Sequence, residues 1–173
     1  KFLLRIENTD QERSYLEAEK AIFFGLEWLG LNWDDGIIYQ NNRKNRHLEI
    51  AELLIQKDLA YKCYSTKQEI DDYKKTALKM GKSTKFVSPW RTKRLTRNNS
   101  MDYVVRLRVP EKSQTVIEDR VQGIVSWQND NLDDLILLRS DGTATYNLAA
   151  VVDDYDSKVS HIIRGDDHLA NTP

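Results

Sequence analysis

With 173 residues, 40% of them hydrophobic and 31% charged, the chain has the length of one domain or somewhat more and an ordinary globular composition. No apolar run reaches the length of a membrane span and no charged-apolar-small leader opens the chain; the single Cys63 excludes an intrachain disulfide framework and suits a reducing cytoplasm. The net charge of −1 hides a division: residues 61–101 carry eleven Lys or Arg against Glu69, Asp71 and Asp72, a local +8 that leaves −9 on the remainder. Such a split reads as a basic surface for a polyanion on an acidic body, or as a solvated lysine-rich helix.

"KFLLRIE" predicts a buried strand with Glu7 at its carboxyl end. Thr9 or Asp10 can cap the helix that follows, in which Ala18, Ala21, Ile22, Gly25 and Leu29 share one face; "NWDDG" closes that unit. A second helix is expected near Arg46 to Lys57, with Ile50, Leu53 and Leu54 inward. "AYKCY" reads as a short strand, and Thr66 with Glu69 has capping-box spacing for a helix ending at Gly81. A basic stretch without clear periodicity runs from Lys82 to Ser100. "YVVRLRVP", "TVIED" and "GIVSWQN" then predict strands of a small antiparallel sheet. "DLILLRSDG" predicts a strand and turn, "TYNLAAVVDDYD" a helix and "VSHIIRG" another buried strand. An α/β beginning and end thus enclose a basic insert with its own β-structure. The chain opens inside an apolar run and stops at Pro173 directly after a site-like segment, so we expect a piece of a longer chain.

"KMGKS", Lys79 to Ser83, has the ending of a phosphate-binding loop. That motif needs a glycine five residues before Gly81, where Thr76 stands, and it should open a helix rather than close one. The P-loop reading fails. In open α/β sheets, ligands bind beyond the carboxyl ends of strands. Two predicted strands end there in a charge, Glu7 and Arg164, an acid and a base that would suit a zwitterion; solvated strand ends or a mutual pair are the alternatives. After Arg164, Gly165 permits a sharp turn. Asp166, Asp167 and His168 then suit a nucleotide contact, a metal or a helix cap. Asp153 and Asp154, adjacent on a helix, diverge too far to share a metal and read as a solvated face.

Taken together, "FLLRIENTDQERS", "GLEWLGLNWDDG", "AYKCY", "YVVRLRVP", "VQGIV", "LDDLILLRSDGTATYNLAAVVDDYD" and "HIIRGDDHLANTP" closely resemble the bacterial glutamyl-tRNA synthetases, class I aminoacyl-tRNA synthetases, in family order across nearly the whole chain. The resemblance implies an α/β, Rossmann-like class I synthetase catalytic fold interrupted by an α+β connective insert that holds the tRNA acceptor end. Residues 1–60 would form the first catalytic part, 61–131 the insert and 132–173 the second catalytic part. It also implies ATP with Mg²⁺, L-glutamate and the tRNA(Glu) acceptor arm as partners, no membrane and a cytoplasmic location. Glutamate would be activated to glutamyl-adenylate and passed to the tRNA 3′ adenosine.

By the same resemblance, Glu7 holds the glutamate α-amino group, and Tyr146, Asn147, Leu148, Ala149 and Ala150 line the amino-acid pocket. Arg164 pairs with the substrate carboxylate, and Asp167 and His168 lie at the ATP adenosine. Lys74, Lys75, Lys79, Lys82, Arg91 and Arg94 are expected to face tRNA phosphates. The family's HIGH motif would precede Lys1 and its KMSKS-type loop would follow Pro173, so the isolated piece is expected to be inactive. KMGKS, inside the insert, is in the wrong place for that loop. Some relatives hold zinc through Cys-x-Cys and Cys-x-His, whereas this chain has Cys63 but Ser65, Trp90 and Thr92. One thiol does not make a site of about four ligands, so no zinc and no other resident metal is expected. Some relatives have Asn where Ala150 stands. The alternatives are a paralogue that attaches glutamate to a modified base of tRNA(Asp), and a non-catalytic tRNA-binding module.

Overall fold

The structure, a computed structural model, describes residues 1–8, 16–92 and 102–173. The proposed caps Thr9 and Asp10, and the basic residue Arg94, lie outside the described residues. The opening apolar run contributes a strand of only two residues, β1 (Arg5–Ile6), parallel to β2 (Ile38–Tyr39). Phe2 and Leu3 sit outside that ladder with their side chains partly in solvent, so the expected buried strand is shorter than its apolar run. Asp34 closes the unit by exchanging hydrogen bonds with the Phe2 backbone.

Between them runs α1 (Leu16–Trp28), which has no fully buried residue. The predicted inward face is rotated: Phe23 and Leu26 are half-buried, with Phe23 against Trp33 at 5.7 Å, while Ala18, Ala21, Ile22 and Leu29 face out. Phe24 and Trp28 are also exposed.

The core lies elsewhere. After a 3₁₀ turn at Gln40–Arg43, α2 (Lys44–Gln56) packs Ala51, with Leu48, Ile50, Leu54 and Ile55 around it, against β3 (Ala60–Cys63). Leu53, expected inward, is 40% exposed, and His47 takes an inward position instead. β3 pairs antiparallel with β4 (Val104–Leu107), which pairs with β7 (Ile136–Leu138). A register shift between Val105 and Arg106 lets β4 serve both neighbours. β7 turns through Gly142, whose φ of +76° suits a residue without a side chain, into α4 (Tyr146–Asp156). Leu148, Ala149 and Val152 of α4 complete the core with Ala60, Val105 and Leu138.

The α3 helix (Lys67–Lys79) forms as its ends dictate. Thr66 Oγ1 accepts from the Glu69 N–H, and Glu69 returns the bond to the Thr66 N–H at 2.8 Å. At the other end Gly81, at φ +63°, allows Lys82 N to reach Ala77 O and Gly81 N to reach Leu78 O. "KMGKS" is a helix stop.

Two expectations change here. Among the described residues the strand of "TVIED", β5 (Gln114–Asp119), pairs only with that of "GIVSWQN", β6 (Gly123–Gln128), as a separate hairpin and not with β4. The "VSHIIRG" segment forms no strand: Ile162 is exposed and Ile163 is 99% exposed. Among the described residues no neighbouring strand lies beside it to satisfy its backbone, and an apolar run without a ladder partner has no reason to be flat.

Candidate functional site

Glu7 leaves the carboxyl end of β1 and accepts a hydrogen bond from Arg5 Nη2 at 2.9 Å. Arg5 Nη1 reaches Asp154 on α4 at 2.5 Å, so one guanidinium ties the end of β1 to the helix that carries the expected pocket. Burial disfavours the charged Arg5, but the hydrogen bonds of Asp154 and Glu7 outweigh it and raise its pKa. Asn8, buried beside Glu7, accepts the Asn41 N–H at 3.0 Å and fixes β1 against the 3₁₀ turn.

α4 starts where Thr145 Oγ1 donates to Ile136 O at 2.7 Å. Of the five pocket residues expected there, Tyr146 is about half exposed and Asn147 half-buried. Leu148 and Ala149 are spent on the core, and Ala150 is buried as well. Of the five, Tyr146 and Asn147 are the ones that leave side-chain surface open to solvent.

Asp153 is not on a solvated face, as its pairing with Asp154 suggested: it is 1% exposed. Its Oδ1 accepts from Arg43 Nε at 2.6 Å and bonds His47 Nε2 at 3.0 Å; its Oδ2 accepts from Gln40 Nε2 at 3.0 Å. Burial opposes its charge, yet His47, Arg43 and Gln40 together hold the carboxyl below its ordinary range. One turn on, Asp156 takes two bonds from Arg46, at 3.0 and 3.1 Å, and one from Arg43. Sequence reasoning missed this cluster. Its only trace is Gln40, Arg43 and His47 recurring at helical intervals beside an apolar stripe.

Arg164 is exposed and donates to Thr172 Oγ1; among the described residues no ion pair joins it to Glu7. The 3₁₀ helix Asp166–Asn171 follows. A Cβ on Gly165 would run into the Asp167 carboxylate, so this glycine lets Asp167 fold back over the turn. His168 Nε2 lies 3.7 Å from Asp167 Oδ2, with both side chains in solvent. Asp166 Oδ1 accepts from Gln122 Nε2, at the tip of the β5–β6 hairpin, at 2.9 Å.

The basic residues divide into two kinds. Lys74, Lys75, Lys79 and Lys82 are exposed on α3 and its C-terminal turn, and among the described residues no carboxylate pairs with them. Arg91, expected with them, is a structural residue. Its Nη1 donates to Asp134 at 2.5 Å, its Nη2 donates to Val109 O and its Nε lies 3.1 Å from a Glu111 carboxylate oxygen, with the side chain only 11% exposed. The buried Asp134 also accepts from Tyr61 Oη at 2.9 Å and the Val109 N–H at 3.0 Å. Burial and this carboxylate push the Tyr61 hydroxyl pKa up. Cys63 is buried with its Sγ 3.3 Å from Ser88 Oγ, and Trp90 packs edge-on to Tyr64 at 5.0 Å.

The family described as tRNA synthetases class I (E and Q), catalytic domain, matches residues 1–173. Glutamate–tRNA ligase 1 of Cereibacter sphaeroides is 53% identical over 170 residues, 98% of this chain and 36% of that protein. The glutamate–tRNA ligase of Afipia carboxidovorans is 52% identical over 172 residues, 99% of this chain and 36% of that protein. Among solved structures, a glutamate tRNA ligase from Elizabethkingia meningosepticum in complex with its amino acid superposes with a TM-score of 0.86 at 26% identity, covering 98% of this chain and 38% of that one. The glutamate–tRNA synthetase of Elizabethkingia anophelis gives 0.87 at 26% identity, over 99% and 39%. The chain spans little more than a third of the relatives it matches.

Proposed function

The chain belongs to the class I tRNA synthetases (E and Q), catalytic domain, and on that premise we propose that the protein it forms part of is a glutamate–tRNA ligase. It would use ATP, with Mg²⁺ accompanying the triphosphate, to activate L-glutamate and pass it to the acceptor end of tRNA(Glu). Among the described residues no group of three or more His, Cys, Asp or Glu gathers to hold a metal. No helix there is long and apolar enough to cross a membrane; the proposed location, the cytoplasm, follows from the ligase reading alone.

The observation that carries this reading is the Arg5 bridge, which holds the Glu7 carboxylate and α4 together at the carboxyl end of β1. A crevice at that edge is where an α/β sheet takes its ligand. Glu7 would receive the substrate ammonium, Tyr146 and Asn147 would flank the amino acid, and Arg164 would take its carboxylate in a charge-assisted pair. Asp167 and His168 would meet the adenosine. The rate would come from holding the α-carboxylate, distinct from the side-chain carboxylate that Arg164 would take, in line with the α-phosphate and stabilising the charge that develops there. Residues 1–60 and 132–173 would be the two catalytic parts, with 61–131 the acceptor-binding insert. Lys74, Lys75, Lys79 and Lys82 would face tRNA phosphates.

The test is glutamate transfer by the full-length protein to tRNA(Glu), tRNA(Gln) and tRNA(Asp) in parallel. Charging of tRNA(Glu) is expected. Labelling of tRNA(Asp) alone would reassign the protein to base modification, and labelling of none would leave a binding module.

A further inference from the structure

Residues two apart in an extended chain point the same way, so Arg5 and Glu7 share one side of β1 while Ile6 points to the other and is buried. The backbone on either side of Glu7 is fixed: β1 pairs with β2 at Arg5↔Ile38 and Ile6↔Tyr39, and Asn8 accepts the Asn41 N–H. The Glu7 side chain is a different matter, being flexible and 38% exposed. A carboxylate that receives a substrate ammonium must stand within a fraction of an ångström of its working place, and a supporting hydrogen bond is the ordinary means.

That bond comes from Arg5, whose Nη2 donates to Glu7 Oε1 at 2.9 Å while its Nη1 donates to Asp154 Oδ1 at 2.5 Å. Asp154 is a firm anchor. It stands on α4 next to Asp153, which Arg43, His47 and Gln40 all grip. The two ends of one planar guanidinium thus transmit the place of α4 to the Glu7 carboxylate. Charge points the same way: two carboxylates against one guanidinium leave this corner net negative, the sign that an ammonium requires.

We propose that Arg5 is a positioning residue for the ammonium-binding carboxylate, and that Asp154 governs glutamate binding through it. Neither touches substrate. Asp154 holds one end of the guanidinium and offsets its charge; the other end holds Glu7 Oε1 and leaves Oε2 to the ammonium. Without Arg5, the Glu7 and Asp154 carboxylates would repel each other and the Glu7 side chain would turn toward water. This rests on the reading of Glu7 as the ammonium partner.

The test uses the full-length protein, with steady-state charging of tRNA(Glu) by the wild type, Arg5→Gln, Asp154→Ala and the double variant. Each single variant should raise the glutamate KM about three- to tenfold, the effect of one misplaced hydrogen bond, with the ATP KM unchanged. The double variant should stay within about twofold of Arg5→Gln, since Asp154 acts only through the guanidinium. Inhibition by glutarate, which keeps both carboxylates of the substrate but has no ammonium, should be unaltered in all three; a general loosening of the site would weaken it. Asp154→Ala removes only a partly exposed bond and keeps the test open if Arg5→Gln fails to fold. A glutamate KM that falls or stays put in Arg5→Gln, one that stays put in Asp154→Ala, fully additive effects, or glutarate inhibition weakened in parallel would each overturn the proposal while leaving the ligase intact. A folded wild type that never accepts glutamate would overturn the ligase reading, and this proposal with it.

Discussion

His47 Nε2 and Asp153 Oδ1 meet at 3.0 Å with both side chains almost wholly withdrawn from water, one on α2 and the other on α4. The pair joins the two helices that sandwich the core against the β3–β4–β7 sheet. The same helix, α4, carries Tyr146 and Asn147 at its start, so Asp153 anchors the element on which the proposed ligand contacts stand.

Removing that carboxylate should be costly. Asp153→Ala would leave Arg43, His47 and Gln40 aimed at an empty position, and breaking a buried pair from one side typically costs about 3–5 kcal/mol. Asp154→Ala, which loses only the partly exposed bond to Arg5, should cost about 1 kcal/mol or less. Urea midpoints of the two variants decide it. Equal midpoints would show that the buried cluster contributes no more than a surface pair.

The same group predicts an acid limb. The folded pKa of Asp153 is lowered, so its contribution is fully present above the unfolded carboxylate value of about 3.9. It is lost as pH falls from there through the lower folded value. Asp156, lowered by Arg46 and, despite slight desolvation, by Arg43 as well, adds in the same direction. Stability measured by denaturant titration should therefore fall below about pH 4, and Asp153→Asn should flatten part of that fall. An identical acid profile in the variant would remove Asp153 as a source.

How far the sequence could be read depended on whether a signal was local. The Thr66 capping box, the Gly81 stop, the strand at Ala60–Cys63 and the helix at Tyr146–Asp156 each carry their instructions within a few residues, and all form where expected. The segment 159–164 and the phase of α1 depend on what lies beside them, and an apolar run cannot name its neighbour. Asp153 and Arg91 misled for the opposite reason. A charged side chain suggests solvent, and only a partner distant in sequence, such as His47 for one or Asp134 for the other, reveals that it is buried. Glu7 follows a strand as expected, whereas the segment before Arg164 forms none; the Gln122–Asp166 bond had no local signal, because its partners lie 44 residues apart.

Arg164→Ala should lose a charge-assisted contact worth about 1.5–3 kcal/mol, a rise of roughly ten- to a hundredfold in the glutamate KM. Arg164→Lys should recover only part of this, since a lysine ammonium lacks the forked donor pair that a carboxylate fits. Glutamate kinetics of the full-length variants provide the check. An unchanged KM in Arg164→Ala would take this residue out of the pocket.

The basic residues make a separate prediction, because the structure divides them by what they touch. If Lys74, Lys75, Lys79 and Lys82 meet tRNA phosphates, affinity should fall linearly with log salt, and each replacement by alanine should reduce the slope by about 0.7–0.9. Folding should be little changed, since these side chains point to solvent. Arg91→Ala should do the reverse. Its guanidinium is held by Asp134, Glu111 and the Val109 carbonyl, so its loss leaves the Asp134 carboxylate short of a cationic partner beside Tyr61. That variant should melt lower while keeping the wild-type salt slope at temperatures where it is folded. Salt titrations of tRNA binding and thermal melts on the same five variants separate the two roles. A full-unit loss of slope in Arg91→Ala, or none in the lysine variants, would reverse the assignment.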